Sequence, residues 1–171
     1  GTGKRIINPQ TWIRMEEGSY MEMDTTQIKG VDSTKRLTRA EVKAGAKLII
    51  REKIMTHGVQ SAETDFTVDL NGLDSGCDLI SPSVARGESH QLFRSVINGN
   101  TRCTGHSSCD AIIMDNGVVS AIPELTANSL DAALIHEAAI GKIAGEQLTK
   151  LMTLGLTAEE AEAKIIEGFL K

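Results

Sequence analysis

Cys103, His106 and Cys109 fall within seven residues of one another in the stretch GNTRCTGHSSCDAIIMDNG, residues 99–117. Two thiols and an imidazole this close pose a choice: a metal site, a redox pair, or buried cysteines flanking a surface histidine. The spacing is not C-x-x-C, so it signals neither a zinc knuckle nor a thioredoxin-type pair. On one extended strand the step from Cys103 to Cys109 covers about 20 Å. The two would then share a face but not a metal ion, and only a turn, at Gly105, would bring them together. His106 and Cys109 stand three apart, a spacing usable at a turn and common by chance. Structural thiols are the more common outcome for such a pattern, with a metal site as the alternative.

Two further features carry ligand-type side chains. His136 and Glu137 are neighbours inside the alanine-rich SLDAALIHEAAIGKIAGEQ. A carboxylate in such a run is costly unless exposed, paired or metal-bound. On a strand these two side chains point to opposite faces, so only one would face a given site. The bland alternative is that they mark the outer face of an amphipathic segment. Cys77 lies in GCDLI, where a small hydrophobe suits a strand interior. His57 and His90 sit in loop-like THGVQ and ESHQL with no triad partner beside them. There is no phosphate loop of the G-x-x-x-x-G-K-S/T type and no G-x-S-x-G elbow, so intrinsic nucleotide or serine hydrolysis has no support.

The elements that must hold these residues are strands. From Tyr20 to about Asn128 one apolar alternation follows another, as in ETDFTVDL, where Phe66, Val68 and Leu70 share a face. The separators are short and polar: NGLDSG, NGN, MDNG. No long amphipathic helix precedes residue 130, which argues against a doubly wound fold. A weak repeat runs through GAKLII from Gly45, GCDLI from Gly76, SCDAII from Ser108 and SLDAALI from Ser129, at offsets of 31, 32 and 21 residues. Irregular repeats of this kind occur when strands stack coil upon coil with aliphatic ladders inside. In such a solenoid Cys77 and Cys109, equivalent in the repeat, would align along the axis. DAALIHEA reads either as an alanine-favoured helix or as a last buried strand. Beyond it, EQLTKLMTLGL and TAEEAEAKIIEGFLK form two helices joined at Gly155, the second opened by a Thr157/Glu160 capping box. Its stripe of Ala161, Ile165, Ile166 and Phe169 is apolar, and its other face is acidic.

Composition narrows the partners. The 171-residue chain is long enough for one domain with a real core, has 3% aromatics and carries a formal net charge of −5. No segment concentrates Lys or Arg, so a nucleic-acid groove is not expected. No apolar run reaches the ~18 residues of a membrane span. The opening GTGKRIINPQTW has no signal-peptide core and no initiator Met, so the sequence is expected to be a processed product or a fragment, with its three cysteines as reduced thiols in the cytoplasm.

SVARGESHQLFRSVINGNTRCTGHSSCDAIIMDNGVVSAIPEL resembles the core of the SufB/SufD family of iron–sulfur cluster assembly proteins, and IHEAAIGKIAGEQLTKLMTLGLTAEEAEAKIIEGFLK resembles that family's C-terminal end. The signatures ARGESH, GHSSCDAIIM, SAIPEL, HEAAIGKI, LMTLGL and IIEGFL fall in family order. They cover at least residues 75–171, with a looser fit over 20–74. The resemblance implies a right-handed parallel β-helix followed by a small helical subdomain, with DAALIHEA as a strand. The expected division is an ill-defined lead-in at 1–19, a solenoid core at 20–140 and helices at 141–171. The resemblance also implies a cluster-building scaffold, not itself an enzyme, that works with the SufC ATPase docked on the C-terminal helices. A homodimer or a SufB/SufD-type heterodimer is the implied assembly. Cys109 stands at the position of the SufB cysteine implicated in cluster assembly, Glu137 at that of its acidic partner, and His136 beside it. These three make the chain look SufB-like. Cys77, Cys103 and His106 are auxiliary candidates for the iron–sulfur cluster or bystanders. The alternatives are a SufD-like subunit that holds no cluster and, more remotely, a β-helix carbohydrate-active enzyme, for which no carboxylate pair on one outer face stands out.

Overall fold

The computed structural model describes residues 3–28 and 30–171; Gly1 and Thr2 of the expected lead-in and Lys29 lie outside the described residues. The chain coils into a parallel β-solenoid of about five turns. Each full coil contributes one strand to each of two sheets. The first sheet contains β1 (Ile6–Ile7), β2 (Gln10–Met15), β4 (Ser33–Val42), β6 (Ser61–Leu70), β9 (His90–Gly99) and β11 (Val118–Ala127). The second contains β3 (Tyr20–Gln27), β5 (Lys47–Thr56), β7 (Ser75–Ile80), β8 (Ser83–Ala85), β10 (Cys103–Ile113) and β12 (Ala132–Gly141). All pairs are parallel, so every coil crosses from one sheet to the other through a short turn.

Two strands are split in line, and proline explains both. β1 and β2 lie end to end on β4, separated at Asn8–Pro9, and β7 and β8 lie end to end on β10, separated at Ser81–Pro82. Proline has no N–H for the ladder and interrupts it. Within the expected lead-in, Ile6–Ile7 and Gln10–Met15 therefore form strands. Their alternation, with Ile13 and Met15 inward and Trp12 and Arg14 outward, is short and cut by Pro9, which hid it.

The true repeat is set by strand pairing. Ser33 lies beside Ser61 and Ser61 beside His90, steps of 28 and 29 residues, and Ser75, Cys103 and Ala132 follow the same spacing. Offsets of 31, 32 and 21 are thus out of register, and the expected alignment of Cys77 with Cys109 does not occur. Cys77 lies beside Gly105, and Cys109 lies beside Ala138.

The core lies between the sheets. Its aliphatic part gathers Val42, Leu48, Ile50, Phe66, Val68, Leu70, Leu79 and Ile97, with the three cysteines among them. Phe66 meets Phe93 edge-on at 5.9 Å. The interior is not purely aliphatic. Thr38, Glu52, Thr56, Thr64, Ser89, Ser95 and Ser107 are also buried, and four of them pair: Ser95 with Ser107 at 2.9 Å, Thr56 with Ser89 at 2.8 Å. Such pairing offsets the cost of burying a hydroxyl. The stacked turns are tight. A Cβ on Gly72 would come within 1.8 Å of the Ala44 backbone nitrogen, so only glycine fits there.

β12 is a strand despite its alanines, because it completes a sheet already laid down by β10, with ten residues in register. After it come α1 (Gly145–Thr153) and α2 (Ala158–Phe169). Gly155 turns the chain between them with φ 96°, and the Thr157/Glu160 capping box is formed, with Glu160 N–H donating to Thr157 Oγ1 at 3.2 Å and Thr157 N–H to Glu160 Oε2 at 2.8 Å. α2 folds back on the outside of the second sheet. Ile166, Phe169 and Leu170 pack with Met55, Val84, Ile112 and Met114, and Lys53 Nζ donates to the Lys171 carbonyl at 2.8 Å. α1 buries none of its residues.

Candidate functional site

β10 runs without a turn from Cys103 to Ile113, so Gly105 does not bring the cysteines together. Alternation along the strand sends Cys103, Gly105, Ser107 and Cys109 inward and Thr104, His106, Ser108 and Asp110 outward. Gly105 is small for a reason of packing: a Cβ there would stand 2.8 Å from Leu134 Cδ2 and 2.9 Å from Ile97 Cγ2. Its absence lets Leu134 of β12 settle onto the core.

All three cysteines are buried free thiols on the inner face. Burial pushes the Cys77 thiol up to about 12, a shift its hydrogen bond with the His106 backbone opposes. Burial and then the negative charge of Asp110 push the Cys109 thiol up to about 11. The Cys103 thiol is raised as well, again chiefly by burial. In the chain by itself these groups rest as protonated thiols, because burial outweighs the downward pull of Lys47 on Cys77 and Cys103. Cys103 and Cys109 both lie one strand below the open end of the solenoid, beside Ala132 and Ala138 of β12, and Cys77 lies one coil deeper. Cys109, 1% exposed, is the one that stands next to the inward position of His136. Among the described residues β12 pairs with β10 alone.

His136 and Glu137 divide between the two faces of β12, as a strand requires. His136 lies beside Ser107 on the inner face, and its Nδ1 is buried with no hydrogen-bond partner among the described residues. Buried polar atoms are nearly always partnered, so this one stands out. Since Ser107 and Cys109 are successive inward positions of β10, His136 and Cys109 are diagonal neighbours on one face. Glu137 lies beside Ser108 on the outer face, with its side chain 69% exposed.

The outer face holds an arrangement that sequence reading missed. His106 Nδ1 lies 2.7 Å from Asp78 Oδ1, and its Nε2 lies 2.7 Å from Glu137 Oε1. The three residues come from three successive coils, on β7, β10 and β12. Each ring nitrogen faces a carboxylate, so a doubly protonated imidazole satisfies both and a neutral one only one. Burial pulls the His106 pKa down, but the hydrogen bonds to Asp78 and Glu137 outweigh it and hold the imidazole above its ordinary value. Asp78 stands 28 residues before His106, one coil back, so the correct period would have revealed it.

The structure therefore brings Cys109 and His136 to one face at the open end, and His106, Asp78 and Glu137 to the other. Cys109 and Glu137 are one position apart in register but separated by the sheet. Among the described residues no group of three or more His, Cys, Asp or Glu is arranged to hold a metal ion. No helix among them is long and apolar enough to cross a membrane.

A two-sheet parallel solenoid that places Cys109 and His136 on one inner face near its last strand, with two helices after it, is a stacked-strand architecture. Residues 4–169 match the family model described as SUF system FeS cluster assembly, SufBD core domain, and the chain belongs to that family. It is 30% identical over 166 residues to an iron–sulfur cluster assembly SufBD family protein of Archaeoglobus fulgidus, covering 96% of this chain and 45% of that protein. It is 29% identical over 171 residues to a SufBD family protein of Methanocaldococcus jannaschii, covering 98% of this chain and 54% of the relative. To one of Pyrococcus horikoshii it is 37% identical over 123 residues, 67% of this chain and 28% of the other. The chain thus spans about half or less of the length of these relatives.

Proposed function

We propose that this chain is a cluster-building, SufB-like scaffold of the SUF system, acting in the cytoplasm and not itself an enzyme. Iron and sulfide are its cargo. Cys109 is the thiolate donor, as iron–sulfur clusters require. His136 is the inner-face partner and Glu137 an oxygen donor for iron on the outer face. Cys103, on the same strand, and Cys77, one coil deeper, are secondary candidates. The observation that carries this reading is that Cys109 and His136, whose Nδ1 is buried without a hydrogen-bond partner among the described residues, are diagonal neighbours on the inner face at a free sheet edge. Two ligands from one chain under-coordinate a cluster, so a second copy or a SufB/SufD-type paralogue would complete the set across the open end formed by β11 and β12. Anaerobic reconstitution of the chain with ferrous iron and sulfide is expected to give the visible absorption of a cluster, with iron and sulfide bound in comparable amounts. Absence of both, with and without a paralogue present, would overturn the scaffold role.

A second reading, a SufD-like subunit that holds no cluster, is favoured by one observation: the Cys109 thiol is buried and raised to about 11. Reconstitution of the isolated wild-type chain separates the two, since the SufD-like subunit stays colourless alone and its SufB-like partner does not.

The ATPase would dock on residues 146–171. α1 buries nothing, and Leu154 at its end is 76% exposed. Substitution L154D, at a side chain that supports no core, is expected to weaken capture of a SufC-type ATPase in a pull-down at least tenfold. Deletion of 146–171 should abolish capture. Undiminished capture by both variants would move the docking surface elsewhere.

A further inference from the structure

We propose that His106, backed by Asp78, is a positioning residue that fixes the Glu137 carboxylate for iron on the outer face of β12. The inference rests on Glu137 being an iron donor, as argued above. A glutamate on an edge strand, with its side chain 69% exposed, has three free torsions and no neighbour of its own strand to restrain it. Here it is restrained. His106 Nε2 stands 2.7 Å from Glu137 Oε1, and the far side of the ring is fixed by Asp78 Oδ1 at 2.7 Å from Nδ1. The line Asp78, His106, Glu137 crosses three coils, so the anchor reaches from the body of the solenoid to its free edge. One carboxylate oxygen of Glu137 is held by the ring, and the other remains open to a cation. This is the division of labour that orients metal-binding carboxylates elsewhere, where loss of the outer partner lowers metal affinity 10–100-fold.

The placement has a consequence for the geometry of assembly. Cys109 presents its sulfur to the interior and Glu137 presents its oxygen to the exterior, with the β12 backbone between them. Iron held at the anchored carboxylate therefore lies outside the sheet, at the free edge, and meets the Cys109 sulfur only around that edge. A fixed carboxylate keeps iron at that rim, whereas a loose one would sweep across solvent.

The test is ferrous-iron binding to the intact chain, titrated anaerobically without sulfide. Wild type, E137Q, H106A, H106Q, D78A and the double variant H106A/E137Q are compared, with circular dichroism confirming that each is folded. E137Q is expected to weaken iron binding about tenfold or more. H106A should weaken it at least tenfold in the wild-type background and not at all in the E137Q background, because His106 acts through Glu137. H106Q, whose amide N–H can reach toward Glu137, should recover most of the affinity, and D78A should fall between wild type and H106A. A purely structural role would make H106A costly in both backgrounds and leave H106Q unable to rescue, which overturns the proposal. Weakened binding in E137Q with unchanged binding in H106A overturns the positioning role alone. Unchanged binding in E137Q overturns the assignment of Glu137, and the positioning role with it.

Discussion

Serine in place of Cys109 is expected to abolish cluster build-up while leaving the solenoid folded. The substitution exchanges one atom in a position that is 1% exposed. The inner face already carries Ser107 and Ser95, hydrogen-bonded to each other at 2.9 Å, so a hydroxyl is tolerated there. An unpartnered one would cost about 1–3 kcal/mol, against a typical domain stability of about 5–15 kcal/mol. What the exchange removes is the soft donor. Iron–sulfur clusters are held by thiolates, and an alcohol does not ionise near neutral pH. The Cys109 thiol is itself raised to about 11, so iron must displace its proton when it binds. The measurement is visible absorption and iron per chain after anaerobic reconstitution. C77S and C103S are the matched controls on the same buried face, Cys77 one coil deeper and Cys103 on β10 itself six residues before Cys109, and are expected to retain assembly. A C109S chain that builds a normal cluster would remove Cys109 from the site.

The strand-rich core and the capped second helix were legible in the sequence, because alternation, turn residues and a capping box are local signals, whereas DAALIHEA reads either way on its residues and only the family resemblance makes it a strand. The register was not. The repeat read from GAKLII, GCDLI, SCDAII and SLDAALI missed the true spacing by two, four and eight residues. Every slip is even, which has a physical cause. A strand's side chains alternate with period two, so an even slip keeps inward residues inward and goes unnoticed by any pattern of apolar alternation. Such a pattern fixes the face and leaves the neighbour open. That is why Cys77 was matched with Cys109 when its neighbour is Gly105, and why Asp78 was missed beside His106. The site was half legible for the same reason. Residue type and alternation separated His136 from Glu137, but only the register pairs Cys109 with the former face and His106 with the latter.

The buried pair Arg36–Glu52 is where a single substitution should cost most stability. Glu52 faces the interior from β5, and its side chain is 2% exposed. Arg36 of β4 reaches it across the core, with Nε 2.5 Å from Glu52 Oε1. Neither Glu52 oxygen has an aligned hydrogen bond among the described residues, and the guanidinium is the opposite charge beside it. Burial raises the Glu52 carboxyl above its ordinary value, while Thr64 and Arg36 pull the other way. Removing Arg36 leaves a carboxylate in the core with nothing opposite it, a change that typically destabilises by about 3–5 kcal/mol. R36A is therefore expected to lower the urea midpoint sharply at neutral pH. The pH dependence carries the sign. A carboxyl whose folded pKa is raised contributes its full stability below the unfolded value of about 4. That contribution is lost as pH rises through the folded value, because the unfolded chain releases the proton more readily. R36A raises the folded value further, so its deficit against wild type should grow from acid to neutral pH. E52Q replaces the charge with a neutral amide of the same shape. In the R36A background it should recover most of the lost stability and flatten the pH profile. A deficit in R36A that is independent of pH, or that E52Q fails to relieve, would show that Arg36 contributes by filling space and not by compensating Glu52.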